Sequence, residues 1–597
     1  MSEFETHEFD VIVIGAGGAG LRAAIEASAQ GADTALVCKS LLGKAHTVMA
    51  EGGIAASLGN VWSDDNWKVH FRDTMRGGKM LNNWRMAQLH AQEAPDRVLE
   101  LEEWGALFDR TPDGLILQRD FGGHRYARLA HVGDRTGLEM IRTLQQRAVQ
   151  KGLQVFMECT ILSLVKDGDR IAGAVGYWRE SGKFVIFRAK AVILATGGLG
   201  KAWKVTSNSW ECTGDGHSLA LWAGADLIDM EFVQFHPTGM VWPPGVRGLL
   251  VTEGVRGDGG VLRNSDNKRF MFDYVPDMFR AETAETEEEA DRWYTDKVNA
   301  RRTPDLLPRD EVARAINSEV KAGRGSPHGG VFLDIATRHD SAYIKRRLPS
   351  MYHQFKELAD VDITTEPMEV GPTCHYAMGG VRVDADTAAS TVPGLFAVGE
   401  VAGGMHGSNR LGGNSLGDLL VFGRRAGLAA AEYSKSTDLP PIAESDVNRI
   451  TATSLEPFEN QGGENPYTLH HDLQDTMGEL VGIIRVEAEL TKAMDKLGEL
   501  KERATHVGVE GHRQYNPGWH LANDLKSLLT VAECVTRSAL LRKESRGGHT
   551  RQDFPGPDAD FGRINHVTRH DDHGLSATAE PLPQMPEELA ALFEEEH

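Results

Sequence analysis

The N-terminal end of this chain constrains its fold more than any other segment. Val11-Ile12-Val13-Ile14 is a short β-branched apolar run and reads as a buried strand. It ends in Gly15-Ala16-Gly17-Gly18-Ala19-Gly20. A helical pattern follows over Leu21 to Ala29, Gly31 stops it, and a second strand is expected over Thr34 to Cys38. This is a complete βαβ unit with a GxGxxG turn between strand and helix. Glycines there let the backbone approach a pyrophosphate, whose charge meets the free N–H groups of the helix start. Gly15, Gly17, Gly18, Ala19 and Gly20 are therefore candidate dinucleotide contacts.

A chain of 597 residues is too long for one hydrophobic core, so the rest must form further units. Two more apolar strands end in glycine: Ala191 to Thr196 before Gly197-Gly198, and Gly394 to Glu400. Their separation implies a discontinuous nucleotide-binding domain, with roughly 130 residues inserted between Met240 and Val370. Inside the insert, the charged stretch Thr283 to Thr303 reads as a surface loop or exposed helix. After about Ala431 the spacing turns helical: Met477, Leu480, Val481 and Ile484, then Leu521, Leu525, Leu528, Ala532 and Val535. With the His506 to Gly518 loop between them, these predict an antiparallel hairpin or bundle. The tail from about Leu575 is rich in Pro and Glu and is expected to be partly disordered.

The second strand leads into Cys38-Lys39-Ser40, without the acid that holds a ribose in a simple NAD site. Glu400, directly after the glycine of its strand, is typical of a second FAD contact in large flavoproteins. FAD is favoured over NAD.

The net charge of −22 repels nucleic acid and anionic lipid, so an anionic substrate would need a local basic site. The five cysteines are dispersed with no CxxC pair. That argues against a disulfide framework, a zinc site or an iron–sulfur cluster in this chain, and no metal is expected. The N-terminal residues carry neither a signal peptide nor an Arg-rich leader, and no apolar run of about 18 residues appears, so no span is expected.

Further motifs point to a family. Lys44-Ala45-His46-Thr47-Val48-Met49-Ala50-Glu51-Gly52-Gly53-Ile54 follows the second strand. Thr213-Gly214-Asp215-Gly216, Gln234-Phe235-His236-Pro237-Thr238-Gly239 and Thr252-Glu253-Gly254-Val255-Arg256-Gly257 come later. Then come Pro308-Arg309-Asp310-Glu311-Val312, Pro372 to Gly380 around His375, and Gly407-Ser408-Asn409-Arg410-Leu411-Gly412-Gly413-Asn414-Ser415-Leu416. Together, over nearly the whole length, they resemble the succinate dehydrogenase and fumarate reductase flavoprotein family. The resemblance implies an α/β plus α chain: a Rossmann-type FAD-binding domain (1–239 and 371–432) interrupted by an α+β capping domain (240–370). A helical domain (433–552) and a short C-terminal region (553–597) would follow. It also implies covalent FAD, attached through its 8α-methyl group to His46. Lys39, Ser40, Thr47, Gly52, Gly53, Asp215, Glu400, Asn414, Ser415 and Leu416 are the further cofactor contacts implied, with Asp215 near the flavin.

The residue types suit a C4-dicarboxylate, which needs separate donors for its two carboxylates. His236, Thr252, His375 and Arg410 can all donate, and arginine binds a carboxylate as a charged fork. Phe232, Gln234 and His236 alternate with Val233 and Phe235, which puts His236 on the polar side of a strand that Pro237 is expected to end. Arg410 stands in a Gly/Asn loop with no apolar face to cover, a place suited to an anion. Succinate oxidation also needs a base for one proton. A guanidinium is a poor base in water, with a pKa above about 12. The resemblance nonetheless assigns that role to Arg309, with Glu253 and Arg256 as its relay to solvent. It implies succinate and fumarate as reactants, an iron–sulfur subunit to take up the electrons, membrane anchors beyond it, and a place on the cytoplasmic face of a bacterial inner membrane.

The nearest alternative enzyme is L-aspartate oxidase, which shares the fold but normally lacks a histidine at the attachment position; His46 speaks against it, and against a soluble fumarate reductase. A fumarate-reducing direction stays open. A non-catalytic flavin carrier would predict losses among His236, Thr252, Arg309, His375 and Arg410, and none is lost.

Overall fold

The computed structural model describes residues 4–571 and 574–594; the outermost residues of both termini, 1–3 and 595–597, lie outside them. The first strand spans Glu5–Ile14, beginning before the apolar run because Glu5 to Phe9 find parallel partners in Val185 to Ala189. On its other side Val11 to Ile14 pair in parallel with Thr34 to Val37. These strands centre a seven-stranded sheet that runs Gln154–Phe156, Thr34–Val37, Glu5–Ile14, Phe184–Leu194, Arg170–Trp178, Cys159–Asp167. Leu395–Ala397 completes it by pairing in parallel with Val192 to Leu194. The sheet thus closes with a strand that returns after a long excursion. Helix Gly18–Ala29 packs on helix Asn414–Lys435 at backbone distance. A Cβ at Gly427 would lie 2.5 Å from Ala23 O, and one at Gly423 would lie 2.8 Å from Ala19 O.

The excursion builds a second core of its own, around Leu262, Val312, Ile316, Leu333, Phe355 and Val370. Its sheet is antiparallel, ordered Val233–Met240, Met368–Ala377, Val331–Asp334, Val261–Arg263. The two longest strands of this sheet are the ones that carry the chain into and out of the excursion, so their residues lie at the seam between the two cores.

Pro237 does not end its strand. The strand continues to Met240, and the ladder shifts register between His236 and Gly239, where the proline's missing N–H is tolerated. The charged stretch is part loop and part helix: Thr286 caps a short helix, Glu287–Trp293, with Glu287 and Glu288 exposed and Ala290 and Trp293 buried. The helical region comprises Glu444–Glu459, Pro466–Leu480, Glu487–Ala504 and Pro517–Leu541. Ile484 leaves the helical pattern and pairs with Thr550 in a short parallel ladder, because its helix stops at Leu480. The tail is ordered through most of its length: Gly574–Pro581 forms a hairpin with Ile564–Asp571, and Leu589 is buried against Phe71 and Met75. All five cysteines are buried and unbridged. Among the described residues, no helix is long and apolar enough to cross a membrane, and no cluster of three or more His, Cys, Asp or Glu could hold a metal.

Candidate active site

One continuous cavity, roughly 1680 Å³ including its mouth, runs from the glycine turn to the seam between the two cores. At the turn, Gly15 has φ of +113°, and a Cβ there would lie 2.1 Å from Ala195 O. A Cβ on Gly20 would lie 1.8 Å from Gly15 O, so Gly20 stands behind the wall and lets the helix close on the turn. Gly17 begins the helix without a side-chain cap, and Gly15, Gly17, Gly18 and Ala19 line the cavity. Exposed helix N–H groups on a backbone without side chains are what a pyrophosphate requires. Only Gly18 N is diverted, donating to Thr47 Oγ1 at 3.2 Å.

Lys39, Ser40 and Asp215 line the cavity where the second strand ends. Lys39 Nζ lies 2.9 Å from Asp215 Oδ2 and 2.8 Å from Asp524 Oδ1. Burial opposes the ammonium charge, but the two carboxylates outweigh it and raise the pKa. Asp215 is therefore held at this end of the cavity, away from the histidine and arginine cluster described below. Glu400 lines the middle; its carboxylate accepts from Ala377 N, and burial pushes its pKa up to about 7.

His46 opens a single 3₁₀ turn, His46–Met49, beside Gly52 and Gly53 on the same wall. Ser209 N donates to its Nδ1 at 3.3 Å, which puts the ring proton on Nε2. Burial and the Lys201 charge lower its pKa to about 4, so the ring is neutral and nucleophilic at neutral pH.

At the seam the chain gathers residues from five distant segments. His236 and His375 stand on the two crossing strands, their rings 5.1 Å apart. Ser207 Oγ lies 2.7 Å from His375 Nδ1. Burial, reinforced for His236 by Arg309 and Arg256, holds both histidines well below their usual pKa. Thr252 precedes Glu253, and its hydroxyl accepts from Gly254 N. Arg309 is the first residue of helix Arg309–Lys321, and its Nε donates to Glu253 Oε2 at 2.8 Å. Burial would raise the Glu253 pKa, but Arg309 and Arg256 override it and hold it at about 2. Arg256 is fully buried behind Glu253, 3.9 Å away, and does not reach the cavity.

Arg410 completes the group. Its Nη1 donates to Ser415 Oγ at 2.8 Å, its Nη2 to Gln234 Oε1 at 3.1 Å, and its guanidinium stacks 4.3 Å from the Tyr376 ring centroid. Nε has no partner. No carboxylate lies within ion-pair distance of it among the described residues, and burial beside Arg309 lowers its pKa to about 9. A buried cation without a counter-charge is costly unless an anion joins it. Ser415 and Leu416 line the cavity; Asn414 turns away, bonded to His70 and Thr74.

Sequence reading gave no role to Gln234, which accepts from both Arg309 (3.4 Å) and Arg410 and donates to Asn409 Oδ1 and Arg410 O. The alternation that placed His236 on the polar face also placed Gln234 there, and that was its only local signal. Tyr376 and the buried Glu51, pushed well above the usual carboxyl pKa by burial, were passed over in the same way.

The chain matches the FAD binding domain family over residues 10–416 and the fumarate reductase flavoprotein C-terminal family over residues 470–587. It belongs to the succinate dehydrogenase and fumarate reductase flavoprotein family. The matching subunit of fumarate reductase (CoM/CoB) from Methanothermobacter marburgensis is 43% identical over 557 residues, covering 93% of this chain and 96% of the relative. The succinate dehydrogenase flavoprotein subunit of Rickettsia bellii is 37% identical over 570 residues, covering 92% and 91%. A chain of Mycobacterium smegmatis Sdh1 in complex with UQ1 superposes with a TM-score of 0.86 at 61% identity, covering 99% of this chain and 97% of that one. As a member of the succinate dehydrogenase and fumarate reductase flavoproteins, the chain is an FAD-dependent oxidoreductase, and the glycine turn and cavity fit that cofactor.

Proposed function

We propose that this flavoprotein oxidises succinate to fumarate, reversibly, with FAD attached covalently to His46. The observation that carries the dicarboxylate reading is Arg410: a buried guanidinium with no carboxylate partner among the described residues, lining the cavity beside a second arginine. A carboxylate supplies the missing charge in the geometry a guanidinium prefers. His236, His375 and Thr252 stand across the same space and would hold the second carboxylate. Bound along the cavity from the glycine turn to His46, FAD would supply the acceptor for the hydride that leaves one methylene carbon. Arg309 acts as the base once its own Nε proton has moved to Glu253, 2.8 Å away, so that the proton taken from the neighbouring carbon replaces the one released towards Arg256 and solvent. Glu253 is ionised at neutral pH, and because its pKa is held at about 2 it keeps a proton only in passing and hands it on. Both electrons leave the chain for an iron–sulfur partner, and membrane anchors lie beyond it, so the protein would sit peripherally on the cytoplasmic face of a bacterial inner membrane.

The excursion between residues 240 and 370 acts as a cap. Arg302 of the cap donates to the carbonyls of Phe121 and His124, and Asp134 of the FAD-binding body accepts from Ser350 N and Met351 N at the start of cap helix Pro349–Ala359. These contacts close the dicarboxylate site from water.

Anaerobic addition of succinate to the purified holoenzyme should bleach the oxidised-flavin absorbance, malonate should block the change, and fumarate should reverse it. Bleaching by L-aspartate but not by succinate would overturn the assignment. The relatives carry both names, so fumarate reduction is the second reading; comparing steady-state rates in the two directions decides it.

A further inference from the structure

A second cavity, about 1030 Å³ counting its open mouth, lies outside the dicarboxylate site, on the seam between cap and FAD-binding body. From the cap it is lined by Arg346, Arg347 and Pro349; from the body by Arg119, Arg135, His131, Asp109 and Glu139. Four arginines converging on one cleft stand out in a chain with a net charge of −22.

Asp109 and Glu139 line the cleft with the arginines, and Arg347 is paired with Asp258 at 3.1 Å, so Arg135 and Arg346 are the cations left for a ligand. Asp109 Oδ2 accepts from Gly133 N at 2.9 Å, and Glu139 accepts from Leu107 N and from Arg142. Arg346 has no carboxylate within ion-pair distance among the described residues and lies over the Tyr343 ring. Arg135 is 58% exposed and only 3.9 Å from Asp134 at best. His131 contributes no donor to the cleft: its proton sits on Nδ1, and burial with the Arg119 charge pushes its pKa down to about 3, so Nε2 presents a lone pair. Its side chain is fully buried, its Nδ1 is bonded to Leu129 O, and its Nε2 has no hydrogen-bond partner. Asp109 Oδ2 is 3.4 Å from that nitrogen.

The cleft is also connected to the chemistry. Arg119 donates to the carbonyls of Glu51 and Gly52 on the flavin-cavity wall and to Gly133 O at the cleft. Its Nη1 would lie 3.4 Å from a Cβ at Gly254, the residue after Glu253. Beside the cleft, Asp134 makes its hydrogen bonds to Ser350 and Met351 across the same seam.

We propose that this cleft binds a small anion carrying two or more negative charges, which joins Arg135 of the body to Arg346 of the cap and holds the cap closed. Multivalent anions engage several guanidinium groups at once, and binding that favours the closed form slows whatever must leave through it.

Inorganic pyrophosphate is the probe, titrated by calorimetry into holoenzyme already saturated with malonate, so that the dicarboxylate site is filled. One equivalent should bind. Arg135→Ala and Arg346→Ala should each weaken it about tenfold, the loss of one charge-assisted contact. Neither residue belongs to the catalytic machinery, and succinate turnover without pyrophosphate should be unchanged, which confirms folding. Pyrophosphate should also slow release of malonate from the wild type and not from the variants. Absent binding, or binding unaffected by both substitutions, overturns the site; binding that leaves malonate release unchanged overturns its coupling to the cap. The malonate block rests on the dicarboxylate reading; a repeat of the titration without malonate, in which Arg135→Ala and Arg346→Ala should still weaken binding, keeps failure of the cleft distinguishable from failure of that reading.

Discussion

Replacing Arg410 tests the dicarboxylate site most directly. Arg410 commits one terminal nitrogen to Ser415 and the other to Gln234, its Nε is buried without a partner, and the residue lines the cavity. A lysine keeps the charge but cannot form both supports and a fork to a ligand. Losing one charge-assisted hydrogen bond and the positioning of the cation removes about 3 kcal/mol. At about 1.4 kcal/mol per decade, that is a loss of about 100-fold in malonate affinity for Arg410→Lys. The assay is titration of the holoenzyme's flavin absorbance with malonate, beside a thermal melt of the ligand-free protein. Arg410→Met separates binding from folding. The native arginine is buried without a carboxylate partner, so an apolar replacement of similar length should leave the melting temperature equal or higher while malonate binding disappears. A malonate Kd for Arg410→Lys within about threefold of wild type, under one kcal/mol, would refute the anchor. A large fall in melting temperature for Arg410→Met would show that the guanidinium serves the fold.

The same site sets a pH limit. The cationic form of Arg410 binds the anion, and its pKa is lowered to about 9, so malonate affinity should hold at neutral pH and fall as pH rises through about 9. Titrations from pH 7 to about 10.5 check this, and a flat profile contradicts it. Glu253→Gln keeps the shape but removes the relay charge; kcat should fall by about 10²- to 10⁴-fold while the malonate Kd stays near wild type. His46→Ala should abolish the flavin fluorescence that otherwise stays with acid-precipitated protein, while unattached FAD still binds at the glycine turn. Gln234→Glu should weaken malonate about 100-fold, because a carboxylate between the two arginines takes over the ligand's charge.

What could be read from the sequence follows how local the physics is. The βαβ unit was legible because strand, turn and helix are contiguous and the glycines answer to backbone geometry alone. Arg410 could be singled out because a guanidinium in a Gly/Asn loop has no apolar surface to cover. His46 was legible only through the family resemblance; nothing in its own neighbourhood distinguishes it from a structural histidine. Contacts between distant segments were invisible. Lys39 reads as a cofactor contact, yet its ammonium is held by Asp524, 485 residues away. Arg256 stands one layer behind the cavity because Glu253 occupies the front. The tail's composition argued for disorder, but its strand pairs edge to edge with Ile564–Asp571, and pairing can override a weak local preference.

Gln234 explains how the two arginines are held side by side in a stable fold. Two buried arginines side by side repel, and the usual remedy is a carboxylate between them. Glu253 supplies one, but only to Arg309. Between Arg309 and Arg410 stands an amide, which accepts from both through Oε1 and uses Nε2 to tie down Asn409 Oδ1 and the Arg410 carbonyl. A glutamate would satisfy the cations and lose both donations. The neutral amide therefore fixes the geometry of the arginines without quenching their charge. The deficit that remains is local, inside a protein whose net charge is −22. A small dianion gains more from entering this site than from any exposed surface, where water and salt screen the same charges. On the proposed reading, two arginines held by one amide and two neutral histidines on the same cavity would select a dicarboxylate.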